Sequence, residues 1–226
     1  MSDIRYRHEV KHEISYQDML CIRQRLKAVA LPDPHAKDGK YRIRSLYFDT
    51  PSDKALREKI DGTARREKFR IRYYNNDRSY ICLEKKSRIN GIGTKYSARL
   101  TEEQTRDIIG GDISWMRDHD DPLICELYLK MTYQRLSPKT VVDYLREPYI
   151  YGPGNVRVTF DSDIRTGLGR IFLFDEDLPT LRAADGSIIL EVKWDDFLPG
   201  IIRDCVQTPG VRAMAFSKYA YSRRYD

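Results

Sequence analysis

The chain has 226 residues and 40 Lys and Arg against 34 Asp and Glu, a formal charge of +6, so it is long enough for a substantial core and rich in both signs of charge. No run approaches the roughly 18 apolar residues of a membrane span, and the N-terminal residues are polar where a signal peptide needs an apolar stretch, which predicts a soluble, cytoplasmic, single-domain protein over residues 1–226. Cys21, Cys82, Cys125 and Cys205 make no C-x-x-C pair, which argues against a zinc knuckle or a disulfide framework.

In chain order, a strand pattern over residues 5–14 leads into a helix over 15–31. There Met19, Ile22, Leu26 and Val29 recur at helical spacing, Ser15 and Asp18 form a capping box, and Pro32 and Pro34 stop the helix. A strand over 41–49, a short helix near 52–60 and strands over 68–74, 80–86 and 94–100 follow. A short helix near 102–109 is capped by Thr101 and ended by Gly110. Strands over 140–147, 156–161 and 188–194 and a short helix near 198–206 complete the reading. Without the regular long helices of a βαβ array, this is an α+β chain with about eight antiparallel strands and peripheral helices.

Charge is distributed unevenly. Residues 65–99 hold eleven basic residues against Glu67, Asp77 and Glu84, a larger surplus than that of the whole chain, whereas residues 101–126 hold eight acids against Arg106 and Arg117. Strand parity sharpens this, since residues of one parity share a face. Arg7, Glu9, Lys11 and Glu13 oppose His8, Val10, His12 and Ile14, and Lys68, Arg70 and Arg72 oppose Phe69, Ile71 and Tyr73. Glu84 with Lys86, Lys95 with Ser97 and Arg99, Tyr144 with Arg146, Arg157 with Thr159 and Asp161, and Glu191 with Lys193 form further rows. One such row is an ordinary solvated face; the repeated Glu-x-Lys spacing and the dominance of Arg and Lys point to more. If the sheet closes into a barrel with these rows inward, the interior is a cationic channel with a few carboxylates. Phosphate chains with a divalent metal compensate such charge, Arg and Lys taking phosphate oxygens and Glu the hard cation.

Competing motifs are weaker. His8-Glu9-Val10-Lys11-His12 spells H-E-x-x-H, but that zinc signature needs a helix and the flanking alternation indicates a strand. There is no P-loop string and no G-x-S-x-G, and Gly91-Ile-Gly93-Thr-Lys95 lies between two strand patterns, as a hairpin turn does. Nucleic-acid binding by a basic, Tyr-rich sheet is disfavoured by Glu9, Glu84 and Glu191 on the cationic faces, and by Phe69 and Tyr73 opposite them.

The ordered set Arg7-x-Glu9-x-Lys11, Tyr41-Arg-Ile-Arg-Ser-Leu-Tyr-Phe-Asp49, Arg70-Ile-Arg72, Leu83-Glu-Lys-Lys86, Tyr144-x-Arg146, Val156-Arg-Val-Thr-Phe-Asp161, Leu190-Glu-Val192 and Phe216-Ser-Lys218 resembles the VTC-type polyphosphate polymerase domain, a CYTH-like triphosphate tunnel metalloenzyme. The resemblance runs over nearly the whole chain and implies an antiparallel β-barrel tunnel and phosphoryl transfer from ATP to a growing polyphosphate with Mn²⁺ or Mg²⁺. It also implies phosphate-binding roles for Lys11, Arg70, Arg72, Lys86, Lys95, Arg146, Arg157 and Lys218, assisted by Tyr144 and Ser217, with Glu191, and Glu9 beside it, for the metal. In this reading Arg70, Arg72, Lys218 and Glu191 act at the reacting centre; Arg99 shares the face of Lys95 and is the alternative in its role. One departure is Arg7, where the wider superfamily has the first Glu of Glu-x-Glu-x-Lys. Expected partners are ATP and polyphosphate, with no nucleic acid, no membrane segment of its own, and a membrane-protein partner as in larger complexes of the family. A triphosphate hydrolase and a non-catalytic polyphosphate or inositol-phosphate binding module use the same residues and stay open.

Overall fold

The computed structural model describes residues 7–36, 38–90, 92–183, 186–208 and 213–224. Among these residues the chain runs through β1 (His8–Ile14), α1 (Tyr16–Val29), β2 (Leu31–Pro32), β3 (Tyr41–Asp49), α2 (Lys54–Ile60), β4 (Arg65–Tyr74), β5 (Asp77–Ile89) and β6 (Ile92–Leu100). It continues through α3 (Glu102–Gly110), α4 (Pro122–Gln134), β7 (Ser137–Tyr151), β8 (Val156–Thr166), β9 (Leu181–Arg182), β10 (Ile188–Trp194), α5 (Gly200–Val206) and α6 (Lys218–Ser222). Strands hydrogen-bond in the order β1-β10-β8-β7-β3-β4-β5-β6, with β2 on β7 and β9 on β8. This is the expected α+β antiparallel class. Each of the eight expected strands is present, and the two-residue β2 and β9 are additional. Arg5, in the expected first strand, and Gly91, in the expected hairpin turn, lie outside the described residues.

Contacts divide the chain into two compact units, one drawn from the described residues within 1–42, 144–164 and 184–216. Its core is the apolar parity of β1, β8 and β10, covered by α1 and α5: Ile14, Val158, Phe160, Leu190 and Val192 pack with Met19, Ile22, Leu26 and Ile202. The α1 capping box forms as expected, the Ser15 hydroxyl accepting from the Asp18 amide at 3.1 Å and Asp18 accepting from the Ser15 amide at 3.1 Å.

The second unit takes the described residues within 43–143, 165–183 and 217–226. Here Leu46, Phe69, Ile71, Tyr73, Leu83 and Ala98 form the apolar side of β3–β6, packed against Ile108 of α3 and Leu123, Ile124 and Leu127 of α4. Lys85 falls on this apolar parity because α4 supplies its partner: it donates to Glu126 and lies 3.5 Å from Glu67, which also binds Lys130. α3 runs one residue beyond its expected end, and Gly111 takes the left-handed conformation (φ 89°) that closes it.

Candidate phosphate-binding faces

In the first unit, the side opposite the helices carries the charged rows. The register sets Glu9 against Lys193 and Lys11 against Glu191 across β1 and β10, then Lys193 against Arg157 and Glu191 against Thr159 across β10 and β8. Opposed residues in an antiparallel pair share a face, so opposite charges alternate diagonally. Lys11 Nζ lies 2.9 Å from Glu9 and 3.6 Å from Glu191; Lys193 lies 3.7 Å from Glu9 and also binds Glu191. Burial opposes the charge on Lys11, but Glu191 and Glu9 outweigh it and hold the ammonium above its usual pKa.

Arg146 donates two hydrogen bonds, 2.6 and 2.7 Å, to the fully buried Asp161, and its guanidinium lies 5.5 Å from the Tyr144 ring centre. Arg157 donates to Asp33 at 2.8 Å and to the Tyr41 hydroxyl at 2.5 Å. Arg7 pairs with Asp195 at 2.8 Å and does not extend the Glu9 row with a second carboxylate.

In the second unit the parity rows also form. Tyr47, Arg70, Glu84 and Ser97 oppose one another across β3–β6, flanked by Ser45, Arg72, Cys82 and Arg99 on one side and by Lys68, Lys86 and Lys95 on the other. Glu84 is met by Arg70 at 2.5–2.7 Å, by Lys95 at 2.6 Å and by Arg72 at 3.7 Å. Burial raises the Glu84 pKa, but Arg70, then Arg72 and Lys95, overcome this and keep the carboxylate well below its ordinary range. Lys95 therefore joins the Glu84 group, whereas Arg99 lies 3.7 Å over the Tyr80 ring and donates to the Ser79 carbonyl at 2.9 Å. Ser217 caps α6 and accepts from Lys68 at 2.8 Å, and Lys218 is the first residue of that helix.

The structure brings Lys11, Glu9, Glu191, Arg146, Tyr144 and Arg157 into the first unit, and Arg70, Arg72, Lys86, Lys95, Ser217 and Lys218 into the second. Reasoning from single rows missed Asp33, Tyr41 and Tyr47, and it left Lys68, Asp161 and Lys193 in their rows without a role. Lys193 and Asp161 carried a parity signal; Tyr41 and Tyr47 did not, because β3 is buried along almost its whole length.

The VTC domain profile matches residues 6–225. The chain belongs to the VTC domain family. No curated protein sequence matches it. Among solved structures, this VTC domain is similar to a Hippeastrum protein described as a candidate adenylyl cyclase with a dominant triphosphatase activity, at TM-score 0.56 and 13% identity over 96% of this chain and 95% of that one. It is also similar to a candidate adenylate cyclase from Bacillus halodurans, at TM-score 0.50 and 11% identity over 86% of this chain and 81% of that one. These likenesses are of fold.

For a divalent cation, the relevant donors in the VTC domain are Glu9 and Glu191, diagonal neighbours on one face whose carboxylates already grip the same two ammonium groups. They fit Mn²⁺ or Mg²⁺. Such hard ions take oxygen ligands and are commonly held by one or two carboxylates while phosphates and water complete the shell. Among the described residues no group of three or more His, Cys, Asp or Glu is placed to hold a metal unaided. The H-E-x-x-H string lies on β1, which sets His8 and His12 about 13 Å apart along the strand and opposite Glu9. His8 stacks on Trp194 with centroids 5.4 Å apart. Asn90, in the left-handed region at φ 49°, follows β5, and residues 92–95 already pair with β5 as the opening of β6, so they are strand and not a phosphate loop. No helix among the described residues is long and apolar enough to cross a membrane.

Proposed function

We propose that this VTC domain transfers the γ-phosphoryl group of ATP to the end of a growing inorganic polyphosphate. The observation that carries the reading is the Glu84 row: Arg70, Arg72 and Lys95 converge on a single buried carboxylate, a cluster in which cations outnumber carboxylates three to one on the side away from the apolar core. A polyanion suits such a cluster through charge-assisted hydrogen bonds.

Arg70, Arg72 and Lys218 on the second unit, and separately Arg146 and Arg157 on the first, hold non-bridging oxygens, and the donors at the transferring group stabilise the charge that builds on the departing diphosphate. Arginine suits this role because its planar fork meets two oxygens at once. Asp161 fixes the orientation of Arg146 by accepting from its Nε and Nη2, and Asp33 that of Arg157 by accepting from its Nη2. Lys86 and Lys95, supported by Ser217, hold the accepting chain on the second unit, and Lys11, supported by Tyr144, is the phosphate-binding lysine of the first. The attacking terminal oxygen is already anionic, so a strong general base is not needed. Glu191 and Glu9 would hold Mn²⁺ or Mg²⁺, which when bound neutralises phosphate charge and orients the transferring group.

The test is incubation of the purified chain with ATP and Mn²⁺, resolving products on a gel. Release of ADP with growth of an acid-labile polymer is expected. ADP with an equal amount of orthophosphate and no polymer identifies a triphosphate hydrolase, and tight polyphosphate binding without turnover identifies a binding module.

A further inference from the structure

Within the second unit, Tyr47 stands in the charged row without a role in the function proposed above. It lies on β3 opposite Arg70, next to the Ser45–Arg72 pair on the same face, and is 5% exposed. The phenol oxygen accepts a hydrogen bond from Arg70 Nη1 at 3.1 Å, and the Arg70 guanidinium lies 5.9 Å from the ring centre. On its other side the ring stacks on Tyr219 at 5.2 Å between centroids, one residue beyond Lys218 on α6. Among the described residues the Tyr47 hydroxyl hydrogen has no acceptor, because the group bonded to its oxygen, Arg70, is itself a donor. Tyr219, also a buried residue, forms the contrast: its hydroxyl donates to Asp49 at 2.7 Å.

A buried O–H without an acceptor costs free energy unless a ligand supplies one. The surroundings say what kind of ligand that is. Burial pushes a phenol up, yet Arg70, Arg72 and Lys218 together hold Tyr47 below its usual value, so the potential at the hydroxyl is positive and favours an anionic oxygen beside it. A phosphate oxygen accepts the free hydrogen and answers the surrounding cations together. A carboxylate from the protein would do so as well, but the one carboxylate in this row, Glu84, is taken by Arg70, Arg72 and Lys95.

We infer that Tyr47 is a substrate-binding residue whose hydroxyl donates a hydrogen bond to a non-bridging oxygen of a triphosphate or polyphosphate held by Arg70 and Arg72. The inference rests on the functional reading above and adds to it a neutral donor, which reads the position of one oxygen where the cations read only charge.

The experiment is calorimetric titration of the full chain with inorganic tripolyphosphate, for wild type, Tyr47→Phe, Arg70→Ala and the double variant, with a thermal melt of each. Tyr47→Phe keeps the ring, its stack on Tyr219 and its place under Arg70, and removes only the hydroxyl. Affinity is expected to fall about tenfold, as for a hydrogen bond to a charged acceptor, with the melt little changed. In the Arg70→Ala background a similar further loss is expected, because the donor acts on the ligand directly. Equal affinity of Tyr47→Phe and wild type overturns the inference and leaves the functional reading intact. A loss that vanishes in the Arg70→Ala background also overturns it, showing that Tyr47 acts only by orienting Arg70. Absence of tripolyphosphate binding by wild type overturns both.

Discussion

On the face built from β1, β10 and β8, cations and carboxylates come in matched sets: Lys11 and Lys193 share Glu9 and Glu191, Arg146 chelates Asp161, and Arg157 holds Asp33. On the face built from β3 to β6, Arg70, Arg72 and Lys95 converge on one carboxylate, Glu84. Both faces arise from the same alternation of charged and apolar residues over a helix-packed core, yet their electrostatics differ. The first sets its cations against a similar number of carboxylates; the second gathers three cations around one carboxylate. The lesson is that counting cations in a strand says less than asking which carboxylate each of them meets.

That contrast can be broken by experiment. The largest effect is expected of Glu191→Ala: metal-stimulated ADP release falls by more than about 100-fold, beyond the range usual for losing an outer-shell partner, while the melt persists. Retained turnover would remove the metal role from the first face. Next, Asp161→Ala leaves the buried Arg146 guanidinium without its carboxylate and is expected to cost about 3–5 kcal/mol in denaturant unfolding. A cost under about 1 kcal/mol, in the range of an exposed pair, would show that Arg146 does not depend on Asp161.

Glu84→Gln should cost less, about 2–3 kcal/mol, because the amide keeps an acceptor and Lys95, whose side chain is 56% exposed, can turn to water. Added tripolyphosphate should restore more stability to Glu84→Gln than to Asp161→Ala, where Arg146 has lost the carboxylate that orients it; equal rescue of both would erase the distinction between the faces. Since the fold depresses the Glu84 pKa, its contribution is present above the unfolded carboxylate value near ~4.3 and lost as pH falls below that toward the folded value. The stability gap between wild type and Glu84→Gln is therefore expected to narrow in acid. The smallest effect is that of Arg70→Ala on tripolyphosphate affinity, a loss of about tenfold in calorimetry, typical of one charge-assisted hydrogen bond.

Much of this was legible from residue order. Alternation over β1, β4, β5 and β10 told which residues share a face, and the capping residues Ser15 and Thr101 fixed two helix starts. Helix α4 was not seen, although Asp121 caps it and Pro122 opens it. Its apolar residues go all round, Leu123, Ile124 and Leu127 buried but Leu129 and Tyr133 exposed, which blurs the helical period. The five-residue α6 is too short for any period to show. Within the faces, parity gave membership but not partners. That Asp33 holds Arg157, from 124 residues away, depends on strand register and a loop position that no local pattern encodes. Tyr47 escaped for the opposite reason: in a strand buried on both sides, alternation disappears.

Asp49 receives the amides of Ala55 and Leu56 at the start of α2 and the hydroxyl of Tyr219, and Lys68 reaches Ser217, 149 residues further along the chain. During synthesis, then, the β4 row emerges long before the segment that completes it. Non-local contacts of this kind are slow to close. The nascent chain passes through a stage in which its most cationic hairpins are out while the contact of Lys68 with Ser217 is still to form.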